Sequence, residues 1–243
     1  MNSDLYDLLV IGGGSGGVRA ARMAAQKGAR VALIEGGAMG GTCVNVGCIP
    51  KKIYSYAAQY SEIFEQARGF GWTNLERPSF DWELLKANRR AEISRLNAVY
   101  LKLLENSGVH IVGGWAKLID GNTVSANGIL YRAQQILIAT GGRPMVPNIV
   151  GREYVLTSNE IFDLPVFPKR LVVVGGGYIA SEFASIFNGL GAQVTQLYRG
   201  DSILRGLITI FAGSLQKSYV EKVSIYVQIQ RSAKYRNLIL TLK

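Results

Sequence analysis

Residues 8–17 read LLVIGGGSGG, an apolar strand-like run that passes directly into a cluster of glycines. A helix-like segment of small residues follows to about Lys27, and a second apolar run, residues 31–34, ends at Glu35. Continuous apolar strands that alternate with helices predict a parallel sheet covered on both faces. This stretch therefore predicts the start of a doubly wound α/β fold.

The glycine spacing Gly12-x-Gly14-x-x-Gly17 is typical of turns that bind dinucleotides. Such glycines allow a tight turn and let backbone N–H groups approach a pyrophosphate at the helix N-terminus. The carboxylate of Glu35, at the end of the second strand, suits ribose hydroxyls. A glycine pattern alone often marks only a tight strand–helix turn. Because strand, helix and acid are all present here, we predict a dinucleotide site.

The same plan recurs at Gly175-x-Gly177-x-x-Ala180, between the apolar run 171–174 and a helix expected to end near residue 190. The next strand, residues 194–198, is followed by Arg199 rather than by an acid, and Arg205 comes soon after. Arginine holds a ribose 2′-phosphate through charge-assisted hydrogen bonds, so this turn favours NADP over NAD. The alternative is that both arginines are solvated loop residues.

The segment between the two turns predicts a helix and an antiparallel meander. Ser79 is the expected N-cap of the helix, and Gly108 is expected to end it. Strand signals broken by glycine-rich turns follow, which is typical of a β-meander. Prolines between residues 144 and 168 indicate a linker between domains.

Composition limits the classes of function. The chain has 243 residues, 48% of them apolar, which allows a large core. Its net charge is +10, but half of that charge lies in residues 207–243 and no basic stripe alternates with aromatic residues, so we expect no nucleic-acid partner. No apolar run approaches the about 18 residues of a membrane span, and the acidic start is unlike a signal peptide. We therefore predict a soluble, cytoplasmic protein without membrane contact.

The two cysteines lie in residues 40–52, GGTCVNVGCIPKK. Five extended residues span roughly 16 Å, whereas a disulfide needs Cα atoms within about 7 Å. A disulfide between Cys43 and Cys48 therefore requires a curled segment, for which Gly47 supplies freedom. Pro50 suits a first helical turn and places Cys48 near the positive end of a helix dipole, which stabilises a thiolate. The alternatives are redox chemistry, which we predict, and two buried reduced cysteines.

Metal binding is not expected. The chain has one histidine, His110, in an apolar strand-like run, and only two cysteines. These residues are too few for an ordinary structural zinc site.

Residues 40–52 resemble the corresponding segment of the flavin-dependent disulfide reductases that use pyridine nucleotides, and among them the glutathione reductases most closely. The resemblance extends through residues 94–100, 139–144 and 177–182 and runs to about Gly206. It implies an FAD-binding Rossmann-like domain with an antiparallel β-meander over residues 1–148. It also implies an incomplete second Rossmann-like domain, which binds NADP, over residues 149–206.

The resemblance assigns the first glycine turn to FAD and the second to NADPH. The FAD contacts that it implies are Gly12, Gly14, Ser15, Gly16, Gly17, Glu35, Thr42, Lys51, Ala116, Thr140, Gly141 and Glu182. The NADPH contacts that it implies are Gly175, Gly176, Gly177, Ile179, Arg199 and Arg205.

Catalytic roles also follow from the resemblance. Cys43 and Cys48 form the redox-active disulfide, with Cys48 facing the flavin and Cys43 attacking the substrate disulfide. Lys51 lies beside the flavin and pairs with Glu182, although it is otherwise interpretable as an exposed lysine. Tyr178 covers the flavin until nicotinamide displaces it; the alternative is an ordinary aromatic residue at a helix start.

The implied substrate is glutathione disulfide, held by Ser15, Arg22 and Tyr100, and the implied role is cellular redox homeostasis. Arg22 is otherwise interpretable as a residue facing water. Electrons pass from NADPH through FAD and the cysteine pair to the substrate. Lipoamide dehydrogenase and mercuric reductase are related alternatives, but Arg199 and Arg205 speak against the NAD preference of the former.

Residues 207–243 do not continue the resemblance, and we interpret them as a tail translated out of frame. Members of the family complete the NADP domain and add a dimerisation domain whose histidine–glutamate pair serves the partner subunit. Neither is found in these 243 residues. We therefore predict a truncated, impaired enzyme with little turnover alone and an uncovered strand edge in its second sheet. A catalytically inactive FAD- and NADP-binding remnant is the alternative.

Overall fold

The computed structural model describes residues 5–74, 78–200 and 203–204, together with the backbone of residues 225–228. Its contacts divide the chain into two units. The first comprises Met1–Pro50 and Ala87–Met145, and the second comprises Lys51–Lys86 and Val146–Lys243. The predicted boundary between residues 148 and 149 stays a prediction.

The first unit is built on one mixed six-stranded sheet. In chain order the elements are β1 Leu5–Ile11, α1 Ser15–Gln26, β2 Val31–Glu35, α2 Gly41–Asn45, α3 Cys48–Ala67, α4 Trp82–Glu105, β3 His110–Gly113, β4 Ala116–Leu118, β5 Thr123–Ala126 and β6 Ile129–Ile138. Helices α3 and α4 each run from one unit into the other.

The strand order in this sheet is β3-β2-β1-β6-β5-β4. Strands β3, β2, β1 and β6 run parallel to one another. Strands β4, β5 and β6 form an antiparallel meander. The predicted α/β class with a meander is therefore confirmed. Strand β6 belongs to both parts of the sheet, since it pairs in parallel with β1 and antiparallel with β5.

Both faces of the central strands are buried, as their continuous apolar sequence predicts. Val31 and Leu33 of β2 belong to a core with α1 residues and with Leu104 of α4. Ala32 and Ile34 point to the other face and pack with residues of the meander. Alternate side chains of β2 thus point to opposite faces of the sheet, and each face packs into its own core.

The turn from β1 into α1 depends on two glycines. Gly12 has a φ of +110°, and a Cβ there would lie 2.4 Å from the carbonyl oxygen of Ala139. A Cβ on Gly17 would lie 1.8 Å from the carbonyl oxygen of Gly12. By contrast, a Cβ on Gly16 has no heavy atom within 4 Å. The first and last glycines of the pattern therefore serve backbone packing, whereas Gly16 borders open space.

The second unit contains a parallel three-stranded sheet in the order β7-β8-β9. Its elements are β7 Arg170–Val174, α5 Tyr178–Gly189, β8 Gln193–Tyr198 and β9 Ile225–Gln228. The expectation of an uncovered strand edge in this sheet is wrong at β8, because β9 pairs with it in parallel register. It is not contradicted at β7, whose one neighbour among the described strands is β8. Apart from the backbone of β9, the expected tail after Gly206 lies outside the described residues.

The start of α4 differs from the prediction. The helix begins at Trp82, and its N-cap is Asp81, whose Oδ1 accepts a hydrogen bond of 2.9 Å from the amide of Leu84. The Trp82 indole N–H donates to the carbonyl oxygen of Leu164 at 2.9 Å and so anchors this first turn. The prediction of Ser79 as N-cap is therefore wrong, and Asp81, another residue type favoured at this position, takes that role.

None of the helices within the described ranges is both long enough and apolar enough to cross a membrane.

We predict that Gly17→Ala destabilises the chain, because the new methyl group cannot fit against the Gly12 carbonyl. Overpacking of this kind costs about 1–3 kcal/mol. Gly16→Ala is the matched control, since its methyl group meets no atom and alanine favours a helix by up to about 1 kcal/mol. Urea unfolding followed by circular dichroism measures both variants. Equal midpoints for the two would contradict the packing argument.

Candidate active site

The cysteine pair lies where helix α2 is followed by helix α3. Cys43 is in α2, and Cys48 is the first residue of α3. Between them, a Cβ on Gly47 would lie 2.7 Å from the carbonyl oxygen of Thr42, so the chain folds tightly back on itself. The two side chains come within hydrogen-bonding contact, and both cysteines are free thiols, with Cys48 the more exposed. The structure therefore has the curl that the sequence requires for pairing.

The loop that carries Cys43 is packed onto the first glycine turn. The amide of Gly40 donates to the carbonyl oxygen of Gly13 at 2.8 Å. A Cβ on Gly41 would lie 2.6 Å from the Cα of Gly14, so backbone touches backbone here. The Ser15 side chain, at the start of α1, hydrogen-bonds Cys43. The predicted nucleotide turn and the predicted redox pair thus form one site.

Burial raises the pKa of the Cys43 thiol, and the hydrogen bond and charge interaction with the Cys48 side chain raise that pKa further. Two groups act the other way: the backbone N–H of Cys48 and the Ser15 side chain hydrogen-bond Cys43 and lower its pKa. That amide belongs to the first residue of α3, so the helix terminus expected to serve Cys48 donates to Cys43. The net effect keeps Cys43 protonated to higher pH than an ordinary thiol.

Two asparagines that are not among the predicted site residues hold this loop in place. The Asn45 amide donates to the carbonyl oxygens of Ala38, Met39 and Gly41 at 2.9–3.2 Å. The Asn97 amide, on α4, donates to Met39 at 2.6 Å and to Asn45 Oδ1 at 3.0 Å. Both asparagines lie inside the motifs that carry the resemblance. Their positions in the sequence do not show that they hydrogen-bond backbone carbonyl oxygens, because a side-chain pattern carries no information about backbone acceptors.

The residues around Glu35 fit a dinucleotide. Glu35 Oε2 accepts a hydrogen bond of 2.5 Å from the Gly13 amide, and Oε1 accepts one of 2.7 Å from Gly37. Each carboxylate oxygen retains a lone pair for a ribose hydroxyl. Gly14 is the N-cap of α1 and provides no side-chain cap, which leaves helix-terminal amides for a pyrophosphate. A cavity of about 290 Å³, bordered by Leu101, opens beside Glu35.

The second glycine turn has the same form. Gly177 is the N-cap of α5 without a side-chain cap, and a Cβ there would meet no atom within 4 Å. The Tyr198 ring packs on Gly176, where a Cβ would lie 2.5 Å from it. Tyr178 and Ile179, in the first turn of α5, are exposed, as is Arg199 after β8. Arg205 lies outside the described residues, so Arg199 alone of the predicted pair has a described position.

Lys51 and Glu182 are paired within the second unit. The distance from Lys51 Nζ, on α3, to Glu182 Oε1, on α5, is 2.5 Å. The side chains are 25% and 39% exposed, so this pair is only partly screened by water. Glu182 Oε2 is buried and has no hydrogen-bond partner among the described residues. The pairing that the resemblance implies across 131 positions is present.

The remaining predicted residues lie on the first unit. Arg22 is half-buried on α1, and its Nε is buried without a hydrogen-bond partner in the described part of the chain. Tyr100 packs against the core under α1. Thr42, Thr140 and Gly141 are exposed, and Ala116 is half-buried in β4. His110 is outside this group, since its Nδ1 is 2.5 Å from the Tyr6 hydroxyl oxygen at the opposite end of β3.

Comparisons with known proteins show which family this chain is similar to. The family model described as pyridine nucleotide-disulphide oxidoreductase matches residues 6–237. Glutathione reductase of Burkholderia cepacia is 53% identical over 201 residues, which cover 83% of this chain and 44% of that protein. The chloroplastic/mitochondrial glutathione reductase of Pisum sativum is 46% identical over 83% of this chain and 38% of its own length. The chain thus spans less than half the length of these curated relatives.

We predict that Cys48→Ser lowers the pKa of Cys43, because it removes the charge interaction with Cys48, and that Ser15→Ala raises it, because a stabilising hydrogen bond is lost. Both changes in the Cys43 pKa are measured by the rate of Cys43 alkylation as a function of pH in the reduced chain, followed by peptide mass spectrometry. A raised pKa moves the onset of alkylation to higher pH. Ser94→Ala, on an exposed position of α4, is the control. Equal profiles for all variants would refute the assigned contacts.

Proposed function

The chain belongs to the pyridine nucleotide-disulphide oxidoreductase family, and from that membership we propose that it carries the FAD site and redox pair of an NADPH-dependent glutathione-disulfide reductase. The observation that supports this most is the contact of Cys43 with both Cys48 and Ser15, at the N-terminus of α1. It puts two sulfur atoms at the same helix end that suits a pyrophosphate. The activity is a proposal for the whole protein, because the matched residues cover less than half of each of these curated relatives.

FAD would be held by the first unit. The amides at the start of α1 would take its pyrophosphate, Glu35 its ribose, and Thr42, Ala116, Thr140 and Gly141 would border it, with Gly12 and Gly17 keeping the turn closed. Bound FAD supplies hydride acceptance and delivers electron pairs to the cysteines. As the resemblance implies, Lys51, in an ion pair with Glu182, would bring its ammonium group to the flavin, and Tyr178 would cover the flavin until nicotinamide displaces it.

The cysteine chemistry balances in three steps. Two electrons and two protons convert the Cys43–Cys48 disulfide into two thiols. Cys43, as thiolate, attacks one sulfur of glutathione disulfide, forms a mixed disulfide and releases one glutathione thiolate, which takes a proton. Cys48 then attacks the Cys43 sulfur, which restores the internal disulfide and releases the second glutathione. The hydrogen bond from Ser15 to Cys43 lowers the pKa of Cys43, which burial raises, and so favours the attacking thiolate.

The glutathione contacts that we propose are Ser15, Arg22 and Tyr100. The substrate carries carboxylates, with which the guanidinium of the half-buried Arg22 would form a charge-assisted pair. The similar proteins named above are glutathione reductases by name. A cytoplasmic location remains a prediction, and the homodimer is a property of the family whose dimerisation domain the sequence does not show.

NADPH rather than NADH is the proposed reductant. Gly175, Gly176 and Gly177 form the turn, Ile179 lies in the first turn of α5, and Arg199 follows the strand that in NAD-binding sites ends in an acid. Its exposed guanidinium suits a 2′-phosphate.

The role of Cys43 is tested by trapping. We expect reduced Cys48→Ser protein, exposed to glutathione disulfide, to gain one glutathione on Cys43, because no neighbouring thiol remains to release it. The matched Cys43→Ser variant should gain little on Cys48. Intact-mass and peptide mass spectrometry measure both adducts. Preferential labelling of Cys48 would reverse the proposed roles.

The first half of the reaction is tested on the whole chain by thiol counting. Oxidised protein loaded with FAD should gain two thiols after NADPH is added, and Cys43→Ser protein should gain none. FAD binding without any gain of thiols would instead favour a nucleotide-binding protein without catalysis.

NADP preference is tested at Arg199. We expect Arg199→Leu to weaken NADPH binding about 10- to 150-fold, because a charge-assisted hydrogen bond contributes about 1.5–3 kcal/mol, and to leave NADH binding unchanged. Equilibrium titration with each nucleotide measures the ratio. Arg19→Leu, on an exposed position of α1, is the control. An equal loss for both nucleotides would argue against contact with the 2′-phosphate.

A further inference from the structure

Trp115 is an exposed aromatic residue beside the first glycine turn, and the function proposed so far does not use it. It lies between β3 and β4, and 71% of its surface is accessible. Exposure of a single aromatic side chain is ordinary at a protein surface, and Trp115 is distinguished instead by the backbone on which its ring is held.

The indole ring rests on the backbone that follows Glu35. A Cβ on Gly36 would lie 2.6–3.0 Å from three atoms of the Trp115 ring system. Only a residue without a side chain allows this approach. The ring is therefore held next to the carboxylate that is placed for a ribose.

Arg143 approaches the same ring from the segment after β6. Its guanidinium carbon is 5.8 Å from the ring centroid, within the range of a cation–π interaction. Strand registers place Glu35 opposite Gly113 and Ile11 opposite Ile138, so the segments that carry Gly36, Trp115 and Arg143 all leave the sheet at the edge of the glycine turn. Two separate segments thus fix the indole at the predicted nucleotide site.

We propose that the exposed part of the Trp115 indole is the surface on which the adenine ring of FAD stacks, an inference that rests on the proposed FAD site. Adenine is bonded directly to the ribose that Glu35 would hold, so the ring must lie within a few ångströms of that carboxylate. Stacking of a base on an aromatic side chain stabilises binding by about 1–3 kcal/mol. It requires only a π face, and Trp115 is the aromatic residue that contacts the segment directly after Glu35.

The cavity beside Glu35 is the competing place for adenine. Its lining includes Leu101, Ile111 and Val112 but no aromatic side chain. It would enclose the ring in aliphatic contacts without stacking. The two placements predict different effects of substitution, because Leu101 borders the cavity whereas Trp115 does not.

The experiment compares binding of FAD, FMN and ADP to the full chain and its variants by equilibrium dialysis. We expect Trp115→Ala to weaken FAD binding about 5- to 150-fold, which is the stacking energy converted to affinity. FMN has no adenine, so its affinity should not change. Leu101→Trp, which narrows the cavity, should leave FAD binding unchanged, as should Trp72→Ala, which removes an exposed tryptophan of the second unit.

A second measurement does not depend on the alanine variant being folded. ADP should quench the fluorescence of wild-type protein and of Trp72→Phe protein, with excitation where adenine does not absorb. The quenching should disappear in Trp115→Phe protein, which retains an aromatic ring but has no indole at this position.

The outcomes separate the inference from the function on which it rests. Unchanged FAD affinity in Trp115→Ala, quenching that persists in Trp115→Phe, or a loss confined to Leu101→Trp would each overturn the stacking role and leave the FAD site standing. Failure of the wild-type chain to bind FAD at all would overturn the proposed function and the stacking role together.

Discussion

Backbone packing on backbone at the first glycine turn is the constraint on which the site depends. Gly17 lies against the Gly12 carbonyl, Gly12 against Ala139, and Gly41 against Gly14, at distances that leave no room for a Cβ. Three segments distant in sequence therefore meet at the end of β1. The helix-terminal amides of α1, the Cys43 loop and the segment after β6 are positioned by the same contacts, so a methyl group at one of these glycines disturbs more than a local turn.

The same packing creates an electrostatic conflict at Cys43. Burial and the neighbouring Cys48 favour the protonated thiol, whereas disulfide exchange needs the thiolate. Ser15 and the Cys48 amide oppose that trend only in part. In the proposed reaction Cys43 is the nucleophile, and neither Cys48 nor Ser15, which contact it, is a general base for its proton. A group that accepts the proton of Cys43 must come from the substrate complex or from residues other than these two donors.

Local sequence predicted the strand–turn–helix units well, because apolar runs, glycines and the acid at Glu35 act over short distances. Other features needed the resemblance: the Lys51–Glu182 pair joins residues 131 positions apart, and no periodicity relates them. Some features followed neither from local sequence patterns nor from the resemblance. Asn97 donates to the backbone carbonyl oxygen of Met39, which side-chain patterns do not display, and Asp81 rather than the predicted Ser79 is the N-cap of α4. Strand β9 lies where the sequence offered no continuation of the sheet.

Preorganisation differs between the two ends of the site. Glu35 is fixed by two backbone amides before any ribose arrives, and the Trp115 indole is fixed by Gly36 and Arg143. Little side-chain entropy remains to be lost there on binding. Arg22 is the opposite case, since nothing in the described part of the chain pairs with its buried Nε, and an unsatisfied buried donor costs about 1–3 kcal/mol. Because that Nε is closed to solvent, an anion that binds Arg22 as proposed reaches this donor only after the side chain moves, whereas a ribose at Glu35 would need no such rearrangement.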